Sequence, residues 1–186
     1  MKKEALLVID MLNDFVLSGA ALEVPDVRKI LPVVKTEIDN AHAMGNPVIY
    51  LCDAHEPDDK EFRKFGWPAH AVRGTQGAEI VPELKPAKDD IVIHKKTYSG
   101  FYGTVLDATL RRLDVDAIRI TGNVTHICVL FTAADAVLRD YAVTVVENGV
   151  GGIGREDHEA ALRLMKNVLA ARIVMTEIAP ATRKAA

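Results

Sequence analysis

Six short apolar runs recur along the chain, separated by longer segments of helical period, and this alternation limits the folds open to it. The runs cover residues 5–9, 47–52, 90–94, 117–121, 142–146 and 172–175. Segments at about 26–44, 104–113, 126–139 and 156–170 instead repeat apolar residues every three or four positions. The first of them sets Val27, Ile30, Leu31, Val34 and Ile38 on one face, then meets Gly45 and Pro47, a good helix stop. Strands that are apolar without a polar alternate must be covered on both faces. The spacing therefore predicts an α/β fold, doubly wound, with a six-stranded, mostly parallel sheet and helices on both faces. With 186 residues and no break in composition, a single domain over 1–186 is expected.

One stretch departs from the alternation. Residues 53–88 are polar and Pro-rich, with weak helical character only around 78–84. Loops of that length are uncommon unless they carry function, so part of a binding site is expected there. A formal charge of −3 lacks the basic footprint of a nucleic-acid or membrane-surface binder, so neither partner is expected. The N-terminal apolar run is five residues long and ends in Asp10, too short for the core of a signal peptide. No stretch approaches the roughly 18 apolar residues of a membrane span. Two cysteines, Cys52 and Cys128, both in apolar surroundings, are too few for a disulfide scaffold. They suggest reduced thiols and a cytoplasmic protein.

Ligands of open parallel sheets sit beyond the carboxyl ends of the strands. Asp10 ends the first apolar run, Asp53 and His55 follow the second, Lys95 ends the third, and Cys128 follows the fourth at the start of a helix. Free N–H groups and the dipole at a helix start stabilise a thiolate, and the same groups can hold an oxyanion. A nearby lysine would lower the thiol pKa, and a carboxylate could take its proton. Against this stands the reading of Cys128 as a buried small hydrophobe, which is how Cys52 reads. Asp10 could instead cap a helix. Lys95 competes with Lys96, although alternation from Ile91 and Ile93 sets Lys95 on the face opposite His94. Asp53-Ala54-His55 points two ligand-type side chains the same way in an extended chain. With His70 after Trp67-Pro68-Ala69, they suit a divalent ion that keeps open positions.

Three elements together resemble the isochorismatase-like cysteine hydrolases and, within them, the nicotinamidase-related amidohydrolases. They are Val8-Ile9-Asp10-Met11-Leu12-Asn13-Asp14-Phe15, Lys95-Lys96-Thr97-Tyr98-Ser99-Gly100-Phe101, and Gly122 through Cys128-Val129 with Thr132-Ala133-Ala134-Asp135-Ala136. The likeness covers nearly the whole chain. It implies a catalytic triad of Asp10, Lys95 and Cys128, choosing Lys95 over Lys96. It also implies a cis peptide at Asn123–Val124, with the backbone N–H groups of Val124 and Cys128 as the oxyanion hole. A divalent metal, zinc by expectation, would be held by Asp53, His55 and His70. Glu61 is a further candidate ligand, although the loop length around it departs from the nicotinamidases. Phe15, Trp67 and Phe101 are proposed pocket residues. The resemblance implies hydrolysis of a small amide, nicotinamide first, with N-carbamoylsarcosine-type or ureidoacrylate-type amides as alternatives. A catalytically silent small-molecule binding protein is the reading from another class. Relatives usually assemble, so a homodimer or homotetramer is expected.

Gly149-Val150-Gly151-Gly152-Ile153-Gly154 matches the dinucleotide pattern G-x-G-x-x-G, with Glu177 about where a ribose-binding acid could stand. It follows the fifth strand, with too little chain beyond it for a nucleotide half-domain. It reads as a flexible loop, and no nucleotide cofactor is expected. His126, two residues before Cys128, could pair with it, but a loop-facing or pocket-lining place fits the resemblance better. His42, His94 and His158 read as solvated or packed.

Overall fold

The structure, a computed structural model, describes residues 3–178. In chain order its elements are β1 (Glu4–Ile9), α1 (Asn13–Val16), α2 (Val27–Ala43), β2 (Val48–Asp53), α3 (Lys60–Phe65), β3 (Ile91–Lys95), α4 (Leu106–Arg112), β4 (Ala117–Asn123), α5 (Leu130–Val137), β5 (Ala142–Gly151), α6 (Arg155–Asn167) and β6 (Arg172–Val174). The six strands form one sheet in the order β3-β2-β1-β4-β5-β6, every pair parallel. This is the order of doubly wound dinucleotide-type sheets, with its reversal between β1 and β4.

The pleat sends alternate side chains of the apolar strands into two cores. Leu7, Ile9, Ile49, Leu51, Ile118 and Ile120 face the side where α4, α5 and α6 lie. Leu6, Val8, Val48, Tyr50 and Cys52 face α2, which contributes Val27, Ile30, Val34 and Ile38. The helix stop at Gly45 behaves as expected. Gly45 has φ +67°, its N–H donates to the His42 carbonyl and the Asn46 N–H to that of Ala41, a Schellman ending. Among the described residues no helix is long and apolar enough to cross a membrane.

Three local expectations need correction. The helix expected from 126 splits into a wide turn at Thr125–Val129, in which the Val129 N–H reaches back five residues to the Val124 carbonyl, followed by α5. The glycine-rich run is not a loop throughout. Strand β5 continues to Gly151, and Gly149 and Gly151 are buried where a Cβ would meet Val33 and Val27 of α2. The long stretch after β2 contains α3 and two single turns at Gln76–Ala78 and Pro82–Leu84. Buried Phe62, Ala71, Val81 and Leu84 hold it down.

Candidate active site

Strands β1 and β4 meet at the switch point, and one glycine sets how closely. Gly122 has φ +112°, and a Cβ there would stand 2.1 Å from the Ile9 carbonyl oxygen, so no other residue fits between these backbones. That contact brings Asp10, just past β1, beside the turn that carries Cys128 after β4. Lys95 ends β3 and is buried, while His94 and Lys96 on either side are exposed. The pleat thus selects Lys95 as the resemblance does.

The Lys95 ammonium lies 2.7 Å from Asp10 Oδ2, 2.5 Å from Asp53 Oδ1 and 3.4 Å from Cys128 Sγ, and it donates to the Thr97 carbonyl at 3.2 Å. One carboxylate oxygen each from Asp10 and Asp53 and the Cys128 sulfur all lie within 4.8 Å of one another. Asp10 Oδ1 accepts the Asp53 N–H at 2.8 Å. Burial and the neighbouring Asp53 charge push the Asp10 carboxyl up to about 6, against the pull of Lys95. Burial would lower the Lys95 pKa, but Asp10 and Asp53 outweigh it and keep the ammonium charged. At Cys128 the expected lowering by lysine is present but outweighed. Burial dominates and pushes the thiol well above its usual range, with Lys95 opposing and Asp10 adding to the rise. A buried sulfur with a carboxylate nearby is poorly placed to stay ionised, so it needs a base at the moment of attack. The peptide Asn123–Val124 is cis, and both residues line the pocket in front of Cys128.

Beside this group lie Asp53, His55 and His70, each offering one ligand atom within 4.8 Å of the others. Their proton arrangement suits a cation. The His70 Nδ1 lies 2.7 Å from the Pro68 carbonyl, which can only accept, so Nε2 carries the lone pair. The His55 Nδ1 faces the Asp59 carboxylate at 3.3 Å, which leaves its Nε2 as acceptor, buried and without a hydrogen-bond partner. Although burial opposes it, Asp53 and Asp59 raise the His55 pKa, marking a spot that favours positive charge. The same two carboxylates would hold a divalent ion and orient its ligand. Asp59 also accepts the Glu61 N–H at 3.0 Å as the N-cap of α3. Phe62 packs its ring about 5.2 Å from both imidazoles. Glu61 faces the pocket from α3, its carboxyl raised by burial, and stands outside the compact set of three.

The pocket in front of Cys128 is small and partly open to solvent. Phe15 and Trp67 line it as expected; Phe101 does not. After Ser99 the chain turns inward, and Phe101 is buried in the sheet core under Tyr141 and the Arg139 guanidinium. Tyr98 takes the pocket wall instead, with Leu22, Val24, Ile127 and Ile153, which sequence patterning left unmarked. His126 is half-buried and lies off the pocket lining. His158 braces the Cys128 turn through Thr125 Oγ1 at 2.9 Å, and His42 pairs with Asp90 at 2.7 Å.

A thiol, a carboxylate poised to take its proton, a fixed ammonium and backbone N–H groups at the switch point of a doubly wound sheet can together carry out the acyl transfer of a cysteine hydrolase. The chain belongs to the isochorismatase family, whose Isochorismatase domain model matches residues 4–177. It is 32% identical over 177 residues to the Uncharacterized isochorismatase family protein YaaI of Bacillus subtilis (strain 168), covering 94% of each chain. Among solved structures it is similar to the pyrazinamidase of Pyrococcus horikoshii in complex with zinc, with 37% identity, a TM-score of 0.88, and 94% and 99% of the two chains covered. It is also similar to the N-carbamoylsarcosine amidase of Thermoplasma acidophilum, with 37% identity, a TM-score of 0.84, and 96% and 99% covered. Both of these solved structures are of amidases, and this chain is an isochorismatase-family hydrolase.

Proposed function

We propose that this protein hydrolyses the C–N bond of a small uncharged amide, nicotinamide first among them, through a thioester on Cys128. The observation that carries this reading is the charge inventory of the pocket. Its lining includes Asp10, Asp53 and Glu61 but, among the described residues, neither Lys nor Arg. Lys95, beneath it, already serves two carboxylates. A substrate with a carboxylate of its own, such as N-carbamoylsarcosine or ureidoacrylate, would meet like charge with no free side-chain cation to answer it. A neutral amide on a small ring meets apolar walls from Phe15, Val24, Trp67 and Ile127.

In the reaction Asp10 takes the thiol proton as the Cys128 sulfur attacks the amide carbonyl. The developing oxyanion accepts hydrogen bonds from the backbone N–H groups of Val124 and Cys128. Lys95 holds Asp10 in place and offsets negative charge on the sulfur. Asp10 then passes its proton to the leaving nitrogen, and ammonia departs as the thioester forms. Water attacks the thioester carbonyl while Asp10 accepts its proton; the acid leaves, and that proton returns to the sulfur. Asp53, His55 and His70, with Glu61 as a further candidate, would hold zinc, which supplies a Lewis-acidic anchor for a neutral lone-pair donor. Ammonia release measured with nicotinamide, pyrazinamide, N-carbamoylsarcosine and ureidoacrylate tests the reading. Turnover of the first two and loss of it in Cys128→Ala is the expected result. A preference for the carboxylated substrates would overturn the charge argument, and full activity in Cys128→Ala would overturn the mechanism.

A further inference from the structure

Asp10 is one of few residues other than glycine with positive φ, at +50°, and it takes this conformation directly after a regular strand. That region is sparsely populated, although aspartate visits it more readily than most residues. A functional residue keeps such a conformation only where its surroundings over-determine it. Three hydrogen bonds do so here. The Asp10 N–H donates to the Leu51 carbonyl at 2.8 Å, its Oδ1 accepts from the Asp53 N–H at 2.8 Å, and its carbonyl accepts from Asn123 Nδ2 at 2.5 Å. The first two come from β2 backbone and would survive almost any substitution. The third is the only one of the three whose partner is a side chain.

Asn123 lines the pocket in front of Cys128, but this hydrogen bond is the one well-formed polar contact of its side chain. It is fully buried, its remaining contact is a 3.9 Å approach of Nδ2 to the Met11 sulfur, and its Oδ1 has no partner. An asparagine left half-satisfied in a core is costly relative to an apolar residue of similar size. Its retained hydrogen bond holds the carbonyl of the residue whose carboxylate lies 2.7 Å from Lys95. Asn123 also immediately precedes Val124, so one residue joins the base to the oxyanion site.

We infer that Asn123 is a positioning residue that locks Asp10 in its left-handed conformation and thereby aims the carboxylate at the Cys128 thiol. The inference rests on the triad reading above but not on the identity of the amide. Without the Nδ2 donor the Asp10 carbonyl is unpaired, its backbone relaxes toward the extended region, and its carboxylate swings away from the sulfur.

The experiment compares Asn123→Ala with the unsubstituted protein. It measures kcat and KM for nicotinamide per titratable thiol, and the rate at which iodoacetamide alkylates Cys128 near neutral pH. Misaim of a catalytic group by about 1 Å costs on the order of 10²-fold, so kcat and the alkylation rate should both fall by about that factor. KM should move far less, staying within about threefold, when the loss lies in the aim of Asp10 rather than in substrate binding. A purely structural role would reduce the fraction of active protein and its melting temperature but leave both rates per thiol unchanged, and that result overturns the inference. Should Asn123→Ala fail to fold, Asn123→Leu fills the same space without the donor and is read in the same way. Alkylation needs no amide substrate. A protein that turns over none of the amides yet shows the alkylation loss would refute the proposed function and leave this inference standing.

Discussion

Burial makes a negative charge costly at both Asp10 and Cys128, and more so at the sulfur, so near neutral pH the proton rests on the thiol. This is a general-base arrangement rather than a preformed thiolate, and it has a measurable signature. With its carboxyl raised to about 6, Asp10 is the base form above that pH and is lost as an acceptor below it. The expected kcat/KM profile is flat near neutrality and falls about tenfold per pH unit below pH 6. A limb near pH 4 would show that Asp10 is not the base. Lys95 carries a different load. Lys95→Met leaves Asp10 and Asp53 as uncompensated buried carboxylates and should cost about 3–5 kcal/mol in urea unfolding, besides lowering kcat. A loss under 1 kcal/mol would mean that the two carboxylates find other partners.

The elements contribute where backbones come closest and where a helix end serves a neighbour. Gly122→Ala sets a Cβ against the Ile9 carbonyl at a positive φ, so β1 and β4 must separate at the point where the site forms. The expected outcome is a loss of more than about 4 kcal/mol or insoluble protein, read by solubility and melting temperature. At α3, Asp59 both caps the helix and faces the His55 Nδ1. Removing such an outer partner of a metal ligand usually costs about 10–100-fold in affinity, the loss expected for zinc in Asp59→Ala. Competition with a chromophoric chelator measures it, and unchanged affinity would show that His55 is held by packing against Phe62 alone. Neither role is visible in the sequence, where Asp59 is one acid among several in a polar stretch.

For the whole molecule, the metal ligands tie the end of β2 to the long loop that covers the pocket, so binding an ion should stabilise the fold. Zinc at a hundredfold excess over its Kd adds about 2.7 kcal/mol. For a chain of this size that raises the melting temperature by about 5–10 °C, reversed by chelator. An unchanged melting temperature would remove Asp53, His55 and His70 as a metal site. What the sequence determined by itself was whatever is encoded locally. Unbroken apolar runs and helical periods specified the sheet and its covering, strand ends placed Asp10, Asp53, Lys95 and Cys128 on one edge, and alternation separated Lys95 from His94. The likeness to a family joined three of these into a triad. Only the tertiary structure decided the rest, because each of those outcomes depends on what stands opposite. Desolvation reversed the expected shift of the Cys128 thiol, and the turn after Ser99 carried Phe101 into the core and left Tyr98 at the pocket. Asn123 and Asp59 acquired their partners from segments 113 and 4 residues away. Periodicity follows from the pitch of one element, whereas a pKa, a tautomer or a clamped carbonyl follows from the packing of several.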